Sequence, residues 1–99
     1  MKEISTTEVL EKLNAGEQLN LVDVRELEEI ESGHIKGIKH IPLGDLEARV
    51  DELDKSKPYI IVCRSSARSG RATDFLTEQG FDATNMVGGM LAWEGEVEK

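Results

Sequence analysis

The stretch that most constrains this chain is Tyr59-Ile60-Ile61-Val62-Cys63, an apolar run with no polar residue alternating through it. A strand with one face in water alternates apolar and polar side chains, because successive residues point to opposite faces. A continuous run instead marks a strand buried on both faces, the condition of an interior strand in a parallel sheet covered by helices on each side. The run stops at Cys63 and is followed at once by Arg64-Ser65-Ser66-Ala67-Arg68-Ser69-Gly70-Arg71, which is too polar to continue a core strand.

The rest of the chain supplies partners for that strand. Ser5-Thr6-Thr7-Glu8 has the form of a capping box, and Val9, Leu10 and Leu13 behind it share a helical face that Gly16 terminates. Leu19 to Val24 reads as a second buried strand, Glu26 to Glu31 as a short acidic helix, and Ile38 to Ile41 as a short strand closed by Pro42. Leu43, Leu46, Val50 and Leu53 recur at helical spacing and predict one amphipathic helix. Beyond the central run, Ala72, Phe75, Leu76 and Gln79 mark a helix capped by Gly80. Ala83 to Val87 is a last strand, and Gly88-Gly89 opens a final helix through Trp93. Strands alternating with helices indicate an α/β fold with a largely parallel sheet. A length of 99 residues suits one domain spanning 1–99. Ligands of such sheets sit beyond the carboxyl ends of the strands, which singles out Asp23-Val24-Arg25 and the loop that starts at Cys63.

That loop has the composition of an anion cradle. Small residues let the backbone curl so that consecutive N–H groups point inward. The start of a helix adds partial positive charge, and Arg64, Arg68 and Arg71 add full charges. All three favour a thiolate at Cys63 over a thiol, so its pKa is expected to be lowered. A lone cysteine ending an apolar strand is ordinarily a packing residue; the arginine-rich loop of small residues behind it is what turns the reading to function. Arg71 reads equally well as a solubilising residue.

Charge narrows the partners. With 20 acidic against 12 basic residues the net charge is -8, which repels phosphate backbones and anionic lipid; nucleic acid and membrane are not expected partners. One cysteine supplies neither an internal disulfide nor a cysteine-rich metal site. With no apolar signal core at the N-terminus, the cytoplasm, where a thiol stays reduced, is the expected location. No metal and no organic cofactor is expected. Asp23 reads as a structural acceptor for loop backbone or an arginine, and Arg25 is as apt to face the pocket as not. His34 reads as fixing a turn, His40 as outward-facing or internally satisfied, and Trp93 as covering the sheet edge or lining the pocket mouth. Glu26, Glu28, Glu29 and Glu31 read as a solvated face.

Asp23-Val24-Arg25 with Glu26 and Glu29, Gly33-His34-Ile35-Lys36-Gly37-Ile38, Ile41-Pro42-Leu43, the loop Cys63 to Ser69, and Gly88-Gly89-Met90-Leu91-Ala92-Trp93 occur in that order. Together they resemble the single-domain rhodanese-like sulfurtransferases over nearly the whole chain. The resemblance implies a small domain with a roughly five-stranded, mainly parallel sheet flanked by helices. It also implies sulfur transfer through a Cys63 persulfide. The donor would be a small anion such as thiosulfate and the acceptor cyanide or a cellular thiol, with a sulfur-accepting protein as a further candidate. Arg64, Ser65, Ser66, Ala67 and Arg68 would bind substrate, with Asp23, Arg25 and Ser69 in support. The family often has Gly where Ser66 stands, and often Pro at Leu27 and Lys36, which bears on substrate preference rather than on fold. Related dual-specificity phosphatases place five residues between cysteine and arginine. Here Cys63 and Arg68 enclose four, and Ser69 stands where the phosphate-clamping arginine would be. An arsenate reductase would need a second cysteine to resolve its intermediate. A non-catalytic interaction module is the other reading, weakened by the retained nucleophile.

Overall fold

The computed structural model describes residues 1–99. Five strands, β1 (Lys2–Ser5), β2 (Leu21–Asp23), β3 (Lys39–His40), β4 (Pro58–Val62) and β5 (Asp82–Val87), alternate with helices α1 (Thr6–Asn14), α2 (Leu27–Glu31), α3 (Leu46–Arg49), α4 (Ala67–Glu78) and α5 (Gly89–Ala92). The sheet order is β1-β5-β4-β2-β3, and every pairing is parallel. The apolar run is thus the middle strand, and its period of two divides the core. Tyr59, Ile61 and Cys63 join Ala72 and Leu76 of α4 and Leu46 of α3 on one face. Ile60 and Val62 turn to the other, against Val9 of α1 with Met90 and Trp93. Ile61 and Leu76 are wholly inaccessible to solvent, so truncating either to alanine would cost about 2–5 kcal/mol.

The first helix begins as its sequence requires. Ser5 Oγ accepts the Glu8 N–H at 3.0 Å, and the Glu8 carboxylate returns to the Ser5 N–H. The strand in front of it is an element that the apolar pattern does not announce. β1 carries one sizeable apolar residue, Ile4, and its register with β5 (Lys2 opposite Thr84, Ser5 opposite Val87) makes it a sheet edge, where little burial is demanded of it. The single helix expected from Leu43 to Leu53 is instead a 3₁₀ turn at Leu43–Asp45, the short α3, and a second 3₁₀ turn at Val50–Glu52. Apolar steps of three, four and three residues fall between the periods of the two helix types. Leu46 and Leu53 are buried all the same. No helix is long and apolar enough to cross a membrane.

Candidate active site

The site is built at the carboxyl end of β4. Cys63, the residue after the strand, is 1% exposed, and the chain then curls over its sulfur before α4 begins. Two things shape the curl. The first turn of α5 ties down the loop's carbonyls: Met90 N–H donates to Cys63 O at 2.9 Å and Leu91 N–H to Arg64 O at 3.0 Å. With those carbonyls held on the α5 side, the following N–H groups face the sulfur. This close approach is why Gly89 must be glycine. Its φ is +58°, and a Cβ there would stand 2.5 Å from Arg64 O and 2.6 Å from Cys63 O. The second is Ser66, the one non-glycine residue with positive φ, at +127°. That conformation aims its N–H at Cys63 Sγ, 3.0 Å away, while its carbonyl accepts from Gly70 N–H at 2.8 Å to start α4.

Ser69, wholly buried, completes the surroundings of the sulfur with Oγ at 3.2 Å. Burial is the largest single influence on the Cys63 thiol and pushes its pKa up. Against it stand the Ser69 hydroxyl and the N–H groups of Ser69, Ser65 and Ser66, which together bring the pKa below the ordinary thiol value. The expected lowering is therefore present, by direct hydrogen bonds to the sulfur rather than by arginine charge.

The arginines are placed differently from the sequence expectation. Arg68 is committed in a bidentate pair to Glu29, at 2.6 and 2.8 Å, and is not an open arm of an anion cradle. Glu29 is correspondingly no mere member of a solvated acidic face: the Arg68 guanidinium holds its carboxyl down to about 2. Arg25 is buried, with Nε 3.0 Å from both Asp23 carboxylate oxygens and Nη2 2.8 Å from Gly33 O. Asp23 also accepts the Arg25 N–H at 3.0 Å, the structural role expected of it. Like Arg71 on α4, Arg64 is exposed and in no ion pair. It borders a depression of about 270 Å³ with Arg25, Glu29, Ser32, Met90 and Leu91. Ser65 and Ser66 act through their backbone, and Ala67 is the first residue of α4.

The remaining candidates are internally satisfied. His34 Nδ1 lies 3.1 Å from Ile30 O and His40 Nε2 lies 2.7 Å from Arg25 O. Trp93 packs on the α1 face of the sheet, in the cluster that holds Leu13 and Ile4 of the edge strand β1. Larger grooves, of about 580 Å³ beside Trp93 and about 630 Å³ at the amino end of the sheet around Lys55 and Phe81, lie away from the thiol and hold no cysteine. No group of three or more His, Cys, Asp or Glu side chains is arranged to hold a metal ion. Three residues to which the sequence reading gives no part in the site prove central: Glu29, Gly89, and Asn85, whose amide meets Ser69. A polar side chain inside the apolar strand Ala83 to Val87 is the available signal for Asn85, because such a residue is kept only if it is bonded.

Residues 5–96 match the model of the Rhodanese family, described as a rhodanese-like domain. The chain is 48% identical over 98 residues to the Bacillus subtilis protein named "Putative sulfurtransferase YtwF", covering 99% of this chain and 95% of that one. It is 35% identical to "Thiosulfate sulfurtransferase GlpE" of Pseudoalteromonas translucida, over 94% of this chain and 89% of the other. A crystal structure of a rhodanese-like domain protein from Staphylococcus aureus superposes with a TM-score of 0.93 at 37% identity, covering 99% of this chain and 97% of that one. With a cysteine-bearing loop at the end of a central parallel strand, a diglycine turn buttressing it, and a family match over residues 5–96, this chain belongs to the rhodanese-like domain family.

Proposed function

We propose that the protein is a sulfurtransferase that moves sulfane sulfur from a small anionic donor such as thiosulfate to a thiophilic acceptor, through a persulfide on Cys63. The observation that carries this reading is the Cys63 sulfur held among the Ser65, Ser66 and Ser69 N–H groups and the Ser69 hydroxyl, with its pKa lowered in spite of burial. The names of the relatives in Bacillus subtilis and Pseudoalteromonas translucida support the same class of reaction.

The chemistry balances without a cofactor. The Cys63 thiolate attacks the outer sulfur of thiosulfate; the donor's S–S bond breaks and sulfite leaves with the bonding electron pair. Cys63 then carries a persulfide anion. Cyanide attacks its outer sulfur to give thiocyanate, or a thiolate attacks to give a new persulfide, and the Cys63 thiolate is restored. This is covalent catalysis by an activated thiol. The N–H groups hold a charge that moves by one sulfur atom, so they need not reorganise. Arg64 is the cation free to meet the anionic end of the donor, since Arg68 and Arg25 are neutralised by Glu29 and Asp23. With the nucleophile nearly sealed from solvent, a slim outer sulfur suits the site better than a phosphoryl group. Ser69 presents a hydroxyl to the sulfur where a phosphatase would present an arginine. A reducing compartment such as the cytoplasm is the setting in which a lone thiol would stay available.

Incubation with thiosulfate followed by intact-mass measurement tests the reading. Gain of one sulfur atom, its loss on adding cyanide, and its absence in Cys63→Ser are expected. A protein that gains no sulfur at Cys63 from thiosulfate or from an organic persulfide would overturn it.

A further inference from the structure

The amide of Asn85 has no place in the steps above, yet it sits directly behind them. Asn85 lies on β5 opposite Ile61 of β4 and is 4% exposed. The Ser69 Oγ stands 2.5 Å from Asn85 Oδ1, 3.2 Å from Cys63 Sγ and 3.2 Å from Ser66 O. A hydroxyl has one proton, and here it faces three acceptors once Cys63 is ionised.

The two protonation states of Cys63 ask opposite things of Ser69. With a thiol, Cys63 S–H donates to Ser69 Oγ and Ser69 donates onward to Asn85 Oδ1. With a thiolate, the sulfur has no proton to give and needs one, so the Ser69 hydroxyl must turn to it. Ser69 Oγ then faces the Asn85 carbonyl oxygen with lone pairs on both sides. An acceptor-only residue at 85 would oppose ionisation. An amide need not, because half a turn about its last torsion exchanges Oδ1 for Nδ2 at nearly the same point. The contact given up is weak: Asn85 Nδ2 lies 3.5 Å from Ser66 O, and that carbonyl keeps the Gly70 N–H at 2.8 Å. Gly70 of α4 brings no Cβ against the amide, where one would stand 3.5 Å from Nδ2.

We propose that Asn85 is a positioning residue for Cys63: its amide turns over as the thiol ionises and donates to Ser69 Oγ, freeing the Ser69 hydroxyl to donate to the sulfur. The only proton lost is that of the thiol, to solvent. The inference rests on Cys63 reacting as an anion and not on the identity of the sulfur donor. The charged groups ranged around the loop, Arg68 on α4 with Glu29 on α2, the Asp23–Arg25 pair after β2, and Arg64, are unchanged by substitutions at 85.

The test is the pH dependence of Cys63 alkylation by iodoacetamide in the full chain, run as a double-mutant cycle. Asn85→Leu removes one hydrogen bond to Ser69 in each protonation state, the stronger being the one that feeds the thiolate, and is expected to move the midpoint upward and slow alkylation at neutral pH about fivefold. In a Ser69→Ala background the same substitution is expected to change neither by more than about twofold, because Asn85 acts through Ser69. An unmoved midpoint in Asn85→Leu, or an equal shift in both backgrounds, overturns the proposal. If Asn85→Leu lacks a cooperative melt, Asn85→Asp takes its place. Its carboxylate holds the Ser69 proton, so its upward shift must be larger with Ser69 present than in the Ser69→Ala background. Equal shifts would be charge alone and would refute the relay. Alkylation uses no sulfur donor, so failure here is separate from failure of the thiosulfate experiment.

Discussion

Replacing Ser66 by glycine is expected to make this protein more stable. Ser66 holds φ +127° and ψ -12°, a conformation whose cost for a residue with a Cβ is about 1–3 kcal/mol. Glycine adopts it without that cost, but loses more freedom on folding, worth roughly 0.5–1 kcal/mol. The difference leaves a net gain of about 1 kcal/mol. For a chain of this size that raises the melting temperature by about 4–8 °C. Ser66→Ala is the control, because it removes the hydroxyl and keeps the Cβ; it is expected within about 0.5 kcal/mol of the parent. The Ser66 N–H that meets Cys63 Sγ at 3.0 Å is backbone, so sulfur loading in Ser66→Gly is expected to persist. Thermal and urea unfolding of the three proteins decide the matter. A glycine variant that melts at or below the parent, or an alanine variant that matches the glycine one, would refute the claim that the loop stores backbone strain.

Other perturbations probe the rest of the site. Gly89→Ala forces a methyl against Arg64 O and Cys63 O; a lowered urea midpoint, by about 1–3 kcal/mol, and loss of sulfur loading at Cys63 are expected. Ser69→Ala removes the strongest of the bonds that oppose burial at Cys63, so the midpoint of thiol alkylation is expected to rise, whereas an unmoved midpoint would remove Ser69 from the site. Glu29 has its folded pKa depressed to about 2 from 4.5, so its contribution is fully present above the unfolded value and is lost as pH falls through the folded one. Urea midpoints measured between those values should therefore decline in the parent and decline less in Glu29→Gln, with a difference of about 1 kcal/mol at neutral pH for a partly exposed bidentate pair.

The fold and the place of Cys63 in it were legible because both are local patterns. An unbroken apolar run from Tyr59 to Cys63 has only one low-energy home, the middle of a covered parallel sheet. A polar loop of small residues after it can only leave that sheet at its carboxyl end. The capping box at Ser5 is likewise a matter of four adjacent residues. Where local signals were weak or mixed, the reading slipped: β1 had one apolar residue of any size, and the Leu43–Leu53 spacing suited two helix types at once.

The chain's own order of residues thus determined strands β2 to β5, helices α1, α2, α4 and α5, and the position of Cys63. Tertiary structure decided what surrounds the sulfur. Glu29 reaches Arg68 across 39 positions and turns a supposed anion-binding arm into a neutral brace. Gly89 and Met90 hold the Cys63 loop from a turn far along the chain, and Asn85 meets Ser69 from a different strand. The physical reason is that charge and hydrogen-bonding capacity belong to a residue, whereas the partner that satisfies or cancels them is chosen by the packing of elements distant in sequence. Of the three arginines in the loop, Arg68 is the one that a carboxylate folds against, and nothing in the loop's own sequence says which it will be.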